Sequence, residues 1–451
     1  MSDLRKADLA HVVHPFTLLR TLPEEGPRVI ERGEGAVVWD AEGREFLDGL
    51  AGLWCVNVGH GRKEIVDAVA EQMARLAYAP TFFGFSNRPA IELAEQLAAR
   101  APRGLTRVLF TNGGSESNET NIKIARYYWK LNGRADKVKI ISRRSGYHGV
   151  SLGALSATGI PRFWTMFEPL VPGFSHIMPP YCYRCDLGKT YPACAVACAG
   201  ELEAAIRREG ADTVAAFIAE PVMGAGGVIV PPPEYLREIE AICRRHDVLL
   251  ILDEVITGFG RTGTLFACEQ WGVEPDLLSV AKGITSAYVP MGAALVHERI
   301  YRDLAGKGPA DLPFLHGFTY GGHPVAAAAA LRNLEILERE RLADNAAVVG
   351  ARLKSRLEAL QELPVVGDVR GIGLMLGVEL VRDRATRAPY PAEAGLGRRV
   401  ARHAYDAGLI LRAIGDTIAL APPLVLSPVQ ADEIARILGR AIERAAAEVQ
   451  A

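Results

Sequence analysis

The sequence predicts an α/β protein with a mainly parallel sheet and a smaller α+β unit beside it. Short apolar runs rich in β-branched residues lie at 107–111, 138–142, 213–219, 248–252 and 277–281. Longer amphipathic segments separate these runs, at 115–130, 200–208 and 233–246. This strand–helix–strand spacing indicates parallel βαβ units. Because the runs are continuously apolar, we expect strands that are buried on both faces.

The chain has 451 residues, which is more than one typical compact domain contains. We predict a large domain from 61 to 334. The N-terminal segment 1–60 and the C-terminal part 335–451 are predicted to form the small domain. Residues 28–50 look like an antiparallel piece with a turn, and the sequence does not decide which unit it packs against.

The composition argues against several classes of partner. Lys and Arg total 51 and Asp and Glu total 53, so the net charge of -2 leaves no basic footprint for nucleic acid. The first residues lack the apolar core of a signal peptide, and no run approaches the roughly 18–20 apolar residues of a membrane span. We therefore expect a cytoplasmic protein that binds neither nucleic acid nor membrane.

Two ionisable residues follow predicted strands directly. Lys282 closes the run LLSVA, where burial would lower its pKa and provide the neutral amine that a Schiff-base lysine needs. Asp253 follows VLLIL, and a buried carboxylate there requires a partner such as the protonated ring nitrogen of pyridoxal phosphate (PLP). Taken alone, Lys282 could instead reach solvent, and Asp253 could be exposed, cap a helix or bind a metal.

Two glycine-rich loops also follow predicted strands. In TNGGSESNET, Gly113 and Gly114 allow close backbone approach and Ser115 can cap the next helix, whose N-terminus would bind a phosphate. The loop is neither a Walker loop nor GxGxxG, which argues against ATP or a dinucleotide. In SGYHG, Tyr147 could stack on a flat cofactor. Each loop alone could be an ordinary turn.

These four features together indicate one binding site, because all of them lie at the carboxyl ends of predicted parallel strands, where ligands bind in such sheets. Together they supply a phosphate anchor, a ring-stacking side chain, an acid for the ring nitrogen and a lysine for the carbonyl carbon. Those are the groups that PLP requires.

The segment LILDEVITGFGRTG, with SVAKGI placing Lys282 29 residues after Asp253, resembles the class III (ω-) aminotransferases of PLP fold type I. Further matching segments are LDGLAGLWCVNVGHG, TNGGSESNE, SGYHG, AEPVMGAGG, GFTYGGHP and LRAIGDTIALAPPL. The chain looks most like the ω-amino acid or amine:pyruvate aminotransferases, with the taurine–pyruvate type close by. The resemblance implies a seven-stranded, mainly parallel sheet flanked by helices in the large domain.

The resemblance also implies a set of cofactor-binding residues. They are Gly114, Ser115, Tyr147, Glu220, Asp253, Val255, Lys282 and Thr319. Lys282 is implied to be the catalytic residue that carries PLP, with Asp253 at the pyridine nitrogen. Thr319 would reach the phosphate of the PLP bound to the neighbouring subunit, which implies a homodimer with shared active sites. Whether dimers pair into tetramers is left open.

The substrate residues that the resemblance implies are Phe16, Trp54, Phe82, Ala225 and Arg412, with Tyr147 beside them. The aromatic walls would favour an apolar or aryl amine, although Phe16 and Phe82 could instead fill core. Arg412 would swing in to bind a carboxylate and out to admit an apolar group. Without the resemblance, Arg412 would be read as an exposed arginine.

The resemblance implies an enzyme that moves an amino group from an amine or ω-amino acid to a keto acid, with pyruvate as the expected acceptor. The reaction would be ping-pong through pyridoxamine phosphate, with Lys282 moving the proton as general base and acid. A taurine–pyruvate aminotransferase, or a decarboxylase or mutase of the same fold, stays an alternative because fold does not determine function.

One segment departs from many members of this family. It contains four of the seven cysteines, Cys182, Cys185, Cys194 and Cys198. Their spacing could bind structural zinc, and free thiols or disulfides are the alternatives. A non-catalytic zinc-binding interaction protein is therefore a second class of function, which bound PLP would exclude. We predict no metal in the active site itself.

Overall fold

The computed structural model describes residues 3–450, and the chain begins with short helices followed by a meander of three antiparallel strands. The elements are α1 (Asp3–His11), α2 (Leu22–Glu25), β1 (Ile30–Glu34), β2 (Val37–Asp40), β3 (Glu45–Asp48), α3 (Ala51–Trp54), α4 (Lys63–Arg75) and α5 (Arg88–Arg100). In the turn between β2 and β3, the Asp40 carboxylate accepts hydrogen bonds from the backbone N–H groups of Glu42 and Arg44. This turn confirms the predicted antiparallel piece at 28–50.

The centre of the molecule is a seven-stranded sheet with the strand order β4-β10-β9-β8-β7-β5-β6. Its strands are β4 (Leu105–Thr111), β5 (Lys139–Arg143), β6 (Phe174–Ile177), β7 (Val214–Ala219), β8 (Leu249–Asp253), β9 (Leu277–Val280) and β10 (Gly292–His297). Only β10 is antiparallel to its neighbours. The predicted α/β fold is therefore confirmed. The sequence patterns identified neither β6, which is short and partly polar, nor β10, whose alanines lack β-branched character.

Helices cover this sheet, and strands β7 and β8 are consequently buried along their whole length. The helices are α6 (Gly114–Leu131), α7 (Leu152–Ala157), α8 (Gly200–Glu209), α9 (Tyr235–Arg245), α10 (Cys268–Trp271), α11 (Glu298–Lys307) and α12 (Pro324–Arg339). The predicted helices at 115–130, 200–208 and 233–246 correspond to α6, α8 and α9. Among residues 3–450, no helix is both long and apolar enough to cross a membrane.

The C-terminal part contains a four-stranded sheet with the order β11-β12-β15-β14. Its elements are α13 (Leu342–Glu358), β11 (Val366–Ile372), β12 (Met375–Leu380), α14 (Leu396–Asp406), β13 (Leu409–Ile410), β14 (Arg412–Ile414), β15 (Thr417–Leu420) and α15 (Pro428–Gln450). The strand-like run 369–380 is a hairpin of β11 and β12 rather than one strand. Gly373 makes the turn possible, because its φ of +55° is a left-handed conformation that glycine adopts freely.

The N-terminal meander joins the C-terminal part through one strand pair. Strand β13 pairs in parallel with β3, so that Leu409 lies opposite Leu47 in a third sheet of order β1-β2-β3-β13. This pairing gives the neighbour of the N-terminal piece that the sequence left undecided. The domain boundaries at 60/61 and 334/335 stay predictions, and α12 runs without a break across the second one.

Candidate active site

Lys282 lies on a tight turn directly after β9. Its φ of +47° is left-handed, which is strained for a residue with a side chain. Asn333 of α12 holds this turn: its Nδ2 donates to the carbonyls of Gly283 at 2.8 Å and Ile284 at 3.0 Å. Its Oδ1 accepts a hydrogen bond of 2.6 Å from the Ser286 hydroxyl. These buried contacts fix the backbone that carries Lys282.

The Lys282 side chain lines a cavity of about 290 Å³. Burial lowers the pKa of its amine, while the neighbouring Cys55, Asp253 and Glu220 act in the opposite direction and Arg412 adds to the lowering. No residue in the described part of the chain hydrogen-bonds to Lys282 Nζ. A lowered pKa makes the neutral, nucleophilic amine available closer to neutral pH.

Asp253 ends β8 and is almost completely buried. Its Oδ2 accepts hydrogen bonds from Asn118 Nδ2 at 2.7 Å and from His148 Nδ1 at 2.8 Å. Its Oδ1 accepts a hydrogen bond of 3.1 Å from the backbone N–H of Val255. These partners hold the carboxylate in one orientation at the cavity wall, where a cationic ring nitrogen could be its next partner.

Glu220 follows β7 and fixes the loop that carries Tyr147. Its Oε1 accepts a hydrogen bond of 3.0 Å from the Tyr147 backbone, and its Oε2 accepts one of 2.8 Å from the Gly224 backbone. Burial raises the pKa of Glu220. Burial also raises the pKa of the Tyr147 phenol, so Tyr147 presents a neutral ring to the cavity.

The N-terminus of α6 forms another wall of the cavity. Helix α6 begins at Gly114 after the extended Gly113, which provides no side-chain cap for the free backbone N–H groups. A Cβ atom on Gly114 would lie 2.8 Å from Val255 Cγ1, so only glycine fits here without a shift of that neighbour. Ser115 Oγ accepts a hydrogen bond of 3.2 Å from the Val150 backbone. Such a helix N-terminus favours a phosphate group.

The structure brings seven of the eight predicted cofactor-binding residues to one cavity. They are Gly114, Ser115, Tyr147, Glu220, Asp253, Val255 and Lys282. Sequence reasoning missed Asn118 and His148, which also line it. A local signal existed for both: Asn118 lies one helical turn after Gly114 and thus on the same face of α6, and His148 follows Tyr147 directly.

The predicted substrate residues do not line this cavity within the chain. Trp54 and Ala225 are buried. Phe16 is 67% exposed, and its ring centroid lies 5.4 Å from that of Phe163, which in turn lies edge-on to Tyr147 at 5.9 Å. Phe16 is therefore two rings away from the cavity wall.

Phe82 and Thr319, the eighth predicted cofactor residue, lie together on a different surface. Thr319 is exposed, and its carbonyl accepts a hydrogen bond of 2.7 Å from the Tyr78 hydroxyl. A Cβ atom on Gly317 would lie 3.0 Å from Phe82 Cζ, so the two segments are in contact. Neither Phe82 nor Thr319 reaches the cavity of its own chain.

Arg412 begins β14 and is half-buried. Burial lowers its pKa, the charge of Arg162 adds to that lowering, and the neighbouring Tyr147 opposes it. Arg412 therefore lies close to the cavity although it does not line it.

The four clustered cysteines are free thiols around a small separate cavity. Burial raises the pKa of Cys198 to about 11, so this thiol is protonated at neutral pH. Within residues 3–450, no three His, Cys, Asp or Glu side chains are arranged to hold a metal ion.

Comparisons with known proteins agree with this geometry. A family model described as Aminotransferase class-III matches residues 22–442. The putrescine–pyruvate aminotransferase of Pseudomonas aeruginosa is 42% identical over 442 residues, which cover 98% of this chain and 96% of that relative. A probable aminotransferase of Mycobacterium tuberculosis is 44% identical over 415 residues, which cover 91% of this chain and 88% of that relative.

Solved structures match over the whole chain. A thermostable (S)-enantioselective omega-transaminase from Thermomicrobium roseum has a TM-score of 0.95 at 53% identity, covering 100% of this chain and 99% of that chain. The omega transaminase from Pseudomonas jessenii in complex with PMP has a TM-score of 0.97 at 42% identity, with the same coverage of 100% and 99%. At these identities the chains are similar in sequence as well as in fold.

Replacing Lys282 with methionine is expected to stabilise the protein freed of small molecules. The folded chain releases the lysine proton below its usual pKa of 10.5, whereas the unfolded chain retains it up to that pH. Between the lowered pKa of the folded chain and pH 10.5, unfolding therefore takes up a proton. The free energy of unfolding of the wild type consequently rises with pH in this range. Thermal melts between neutral pH and that value should show the advantage of Lys282→Met shrinking as the pH rises.

Lys137→Met is the matched control for this measurement. Lys137 is also a buried lysine, with a pKa lowered to about 8, but its Nζ donates to the Ala211 carbonyl and lies 4.6 Å from the Trp129 ring centroid. Because its replacement also removes this hydrogen bond, Lys137→Met should have a lower melting temperature than Lys282→Met at neutral pH. If Lys282→Met lowers it equally at every pH, the Lys282 amine is a structural group instead.

Proposed function

The chain belongs to the class III aminotransferase family, and on this premise we propose that it transfers an amino group from an amine or ω-amino acid to a keto acid, with pyruvate as the expected acceptor. The observation that carries the proposal is the free Lys282 amine in one cavity with the fixed Asp253 carboxylate and the α6 N-terminus. The printed names of the relatives, which include putrescine–pyruvate aminotransferase and omega-transaminase, support this substrate class.

We propose PLP as the cofactor that the cavity holds, and the residues present fit it. The free N–H groups at Gly114 and the Ser115 hydroxyl would bind the phosphate. Tyr147 and Val255 would contact opposite faces of the ring, and the Asp253 carboxylate would bind the ring nitrogen. When bound, PLP supplies an electron-withdrawing ring that stabilises negative charge on the substrate carbon.

Lys282 Nζ has two roles in this proposal. As a neutral amine, the form that its lowered pKa favours, Nζ would be the group that holds the cofactor. Nζ would also be the base that takes the proton from the substrate carbon bearing the amino group, and the acid that returns a proton within the site. Proton transfer of this kind contributes on the order of 10²–10⁴-fold in rate. The Asn333 contacts keep Nζ positioned for both roles.

The Asp253 carboxylate is the second chemical group of the proposal. Hydrogen bonds from His148, Asn118 and the Val255 backbone hold it in one orientation at the cavity wall. A carboxylate opposite the ring nitrogen would keep a proton on that nitrogen. His148 and Asn118 are therefore positioning residues that act through Asp253.

We propose a homodimer, supported by an apolar surface on the segments that carry Phe82 and Thr319. Phe83 is 94% exposed, Phe85 is 66% exposed and Tyr320 is 63% exposed. The segments that carry them contact each other, since the Thr81 hydroxyl donates to the Gly321 carbonyl at 3.0 Å. A soluble chain rarely leaves such a patch uncovered. A second copy seated on it would bring Phe82 and Thr319 towards the partner's cavity.

The test of the function is the visible spectrum of the purified protein with PLP bound. A chiral aryl amine, added alone as each enantiomer, should abolish the visible band, and pyruvate should restore it. If amines never change the band, PLP is bound but the proposed reaction class or donor class is wrong. If no band forms even after PLP is added, the proposal fails. Lys282→Ala is the control that should bind PLP but not turn over.

Asp253→Asn is expected to retain the fold and lose activity. The amide keeps a similar shape but no longer carries the negative charge that holds the ring-nitrogen proton. We expect kcat to fall on the order of 10²–10³-fold, the range for loss of one preorganised electrostatic contact. Steady-state kinetics with pyruvate measure this, with PLP content determined in parallel. A decrease of less than about tenfold at full PLP content would contradict the role of Asp253.

Phe83→Asp is expected to disrupt the dimer, because it places a charge in the centre of the apolar surface. Light scattering after size exclusion should show monomers with little activity. Val348→Asp is the matched control, since Val348 is 71% exposed on α13. This control should remain dimeric and active. A fully active Phe83→Asp dimer would show that the patch is not the interface.

A further inference from the structure

Two arginines without acidic partners lie beside the cavity. Arg412 is half-buried at the start of β14, and Arg162 is exposed on the short turn Pro161–Phe163. Within residues 3–450, neither guanidinium has a carboxylate or hydrogen-bond partner. By contrast, the largely buried Arg370 has its guanidinium on Asp368 and Glu379. A half-buried guanidinium without an anion is costly, and a bound anion would remove that cost.

The two arginines occupy successive depths. Arg412 is half-buried at the start of β14, and its charge acts on both Lys282 and Tyr147, so it is the inner group. The charge of Arg162 acts on Arg412, and Arg162 is the more exposed of the two, so it is the outer group. Both guanidinium groups are positively charged, so they repel each other. An anion bound near both would offset this repulsion.

Apolar rings flank the outer arginine. The Arg162 guanidinium carbon lies 5.2 Å from the centroid of the neighbouring Phe163 ring. Phe163 contacts the ring of Phe16 on one side and the ring of Tyr147 on the other. Ring contacts therefore run from Tyr147 at the cavity wall to Phe163, whose sequence neighbour Arg162 carries the cation. A substrate with an amine at one end, methylenes in the middle and a carboxylate at the other end matches this arrangement.

We propose that Arg162 is a second, outer carboxylate-binding residue beyond Arg412, whose own carboxylate role the family resemblance implies, and that Arg162 selects extended ω-amino acids as amino donors. Arg412 holds a carboxylate close to the reacting carbon, such as that of the keto acid. Arg162 holds the carboxylate of a donor whose amine, several methylenes away, lies at Lys282. The proposal rests on the proposed function and names the substrate class of that same site.

The test compares two amino donors, ω-aminopentanoate and pentylamine, which has the same chain length but no carboxylate. In R162Q, the ratio of the ω-aminopentanoate KM to the pentylamine KM should rise by about tenfold, the loss expected for one charge-assisted hydrogen bond. The turnover rate with saturating ω-aminopentanoate should change little, since Arg162 does not touch the reacting atoms. R162K should recover part of the loss. R208Q, which changes an exposed arginine on α8, is the matched control.

A binding measurement makes the test independent of turnover. Calorimetry with pentanoate, which has no amine, should show weaker binding to R162Q than to the wild-type holoenzyme. Added salt should weaken pentanoate binding to the wild type more than to R162Q. Kinetics of a second variant separate the two arginines. In R412Q, the KM for pyruvate should rise more than the KM for pentylamine, because Arg412 holds the carboxylate of the keto acid.

Two outcomes overturn the inference. An equal rise in the KM values for ω-aminopentanoate and pentylamine in R162Q would mean that Arg162 only shapes the turn. Unchanged KM values and unchanged pentanoate binding in R162Q would exclude any role in substrate binding. If the wild type transfers no amino group from any of these donors to pyruvate, the proposed function has failed, and pentanoate binding then decides the inference alone.

Discussion

The buried carboxylate of Asp253 imposes the constraint on which the rest of the structure depends. A charged carboxylate away from water is very costly unless donors surround it. Its donors come from three places: Asn118 on α6, His148 after β5, and the Val255 backbone in its own turn. These groups meet only if the carboxyl ends of the strands share one edge and the N-terminus of α6 lies against it. The parallel sheet provides that edge, and its helices exclude water from it.

The walls of the cavity differ in how well their polar groups are satisfied. The acidic groups Asp253 and Glu220 have hydrogen-bond partners within the chain. Several hydrogen-bond donors in the described part of the chain lack such partners, among them Lys282, Arg412 and the free N–H groups of α6. Donors and cations are therefore left facing the site. This imbalance favours an anionic cofactor and a carboxylate substrate, and it makes the neutral form of the lysine accessible.

Local patterns predicted much of the fold because local patterns cause it. The five apolar runs became strands, and the amphipathic segments between them became helices, since each of these depends on residues close in sequence. The failures follow the same rule. Strand β6 is too short and polar to stand out, β10 is rich in alanine, and the hairpin of β11 and β12 reads as one strand because glycine supplies the turn without a polar break.

The sequence by itself determined the type of sheet and the convergence of Lys282, Asp253 and the glycine-rich loop, because the carboxyl ends of parallel strands share one edge. Only the tertiary structure decided which groups orient them. Asn118 and Asp253 are 135 residues apart, and Asn333 and Gly283 are 50 residues apart. The apolar surface around Phe83 likewise joins distant segments, since Thr81 hydrogen-bonds to Gly321. No local pattern specifies such contacts, because they exist only after the core has packed and placed both partners in reach.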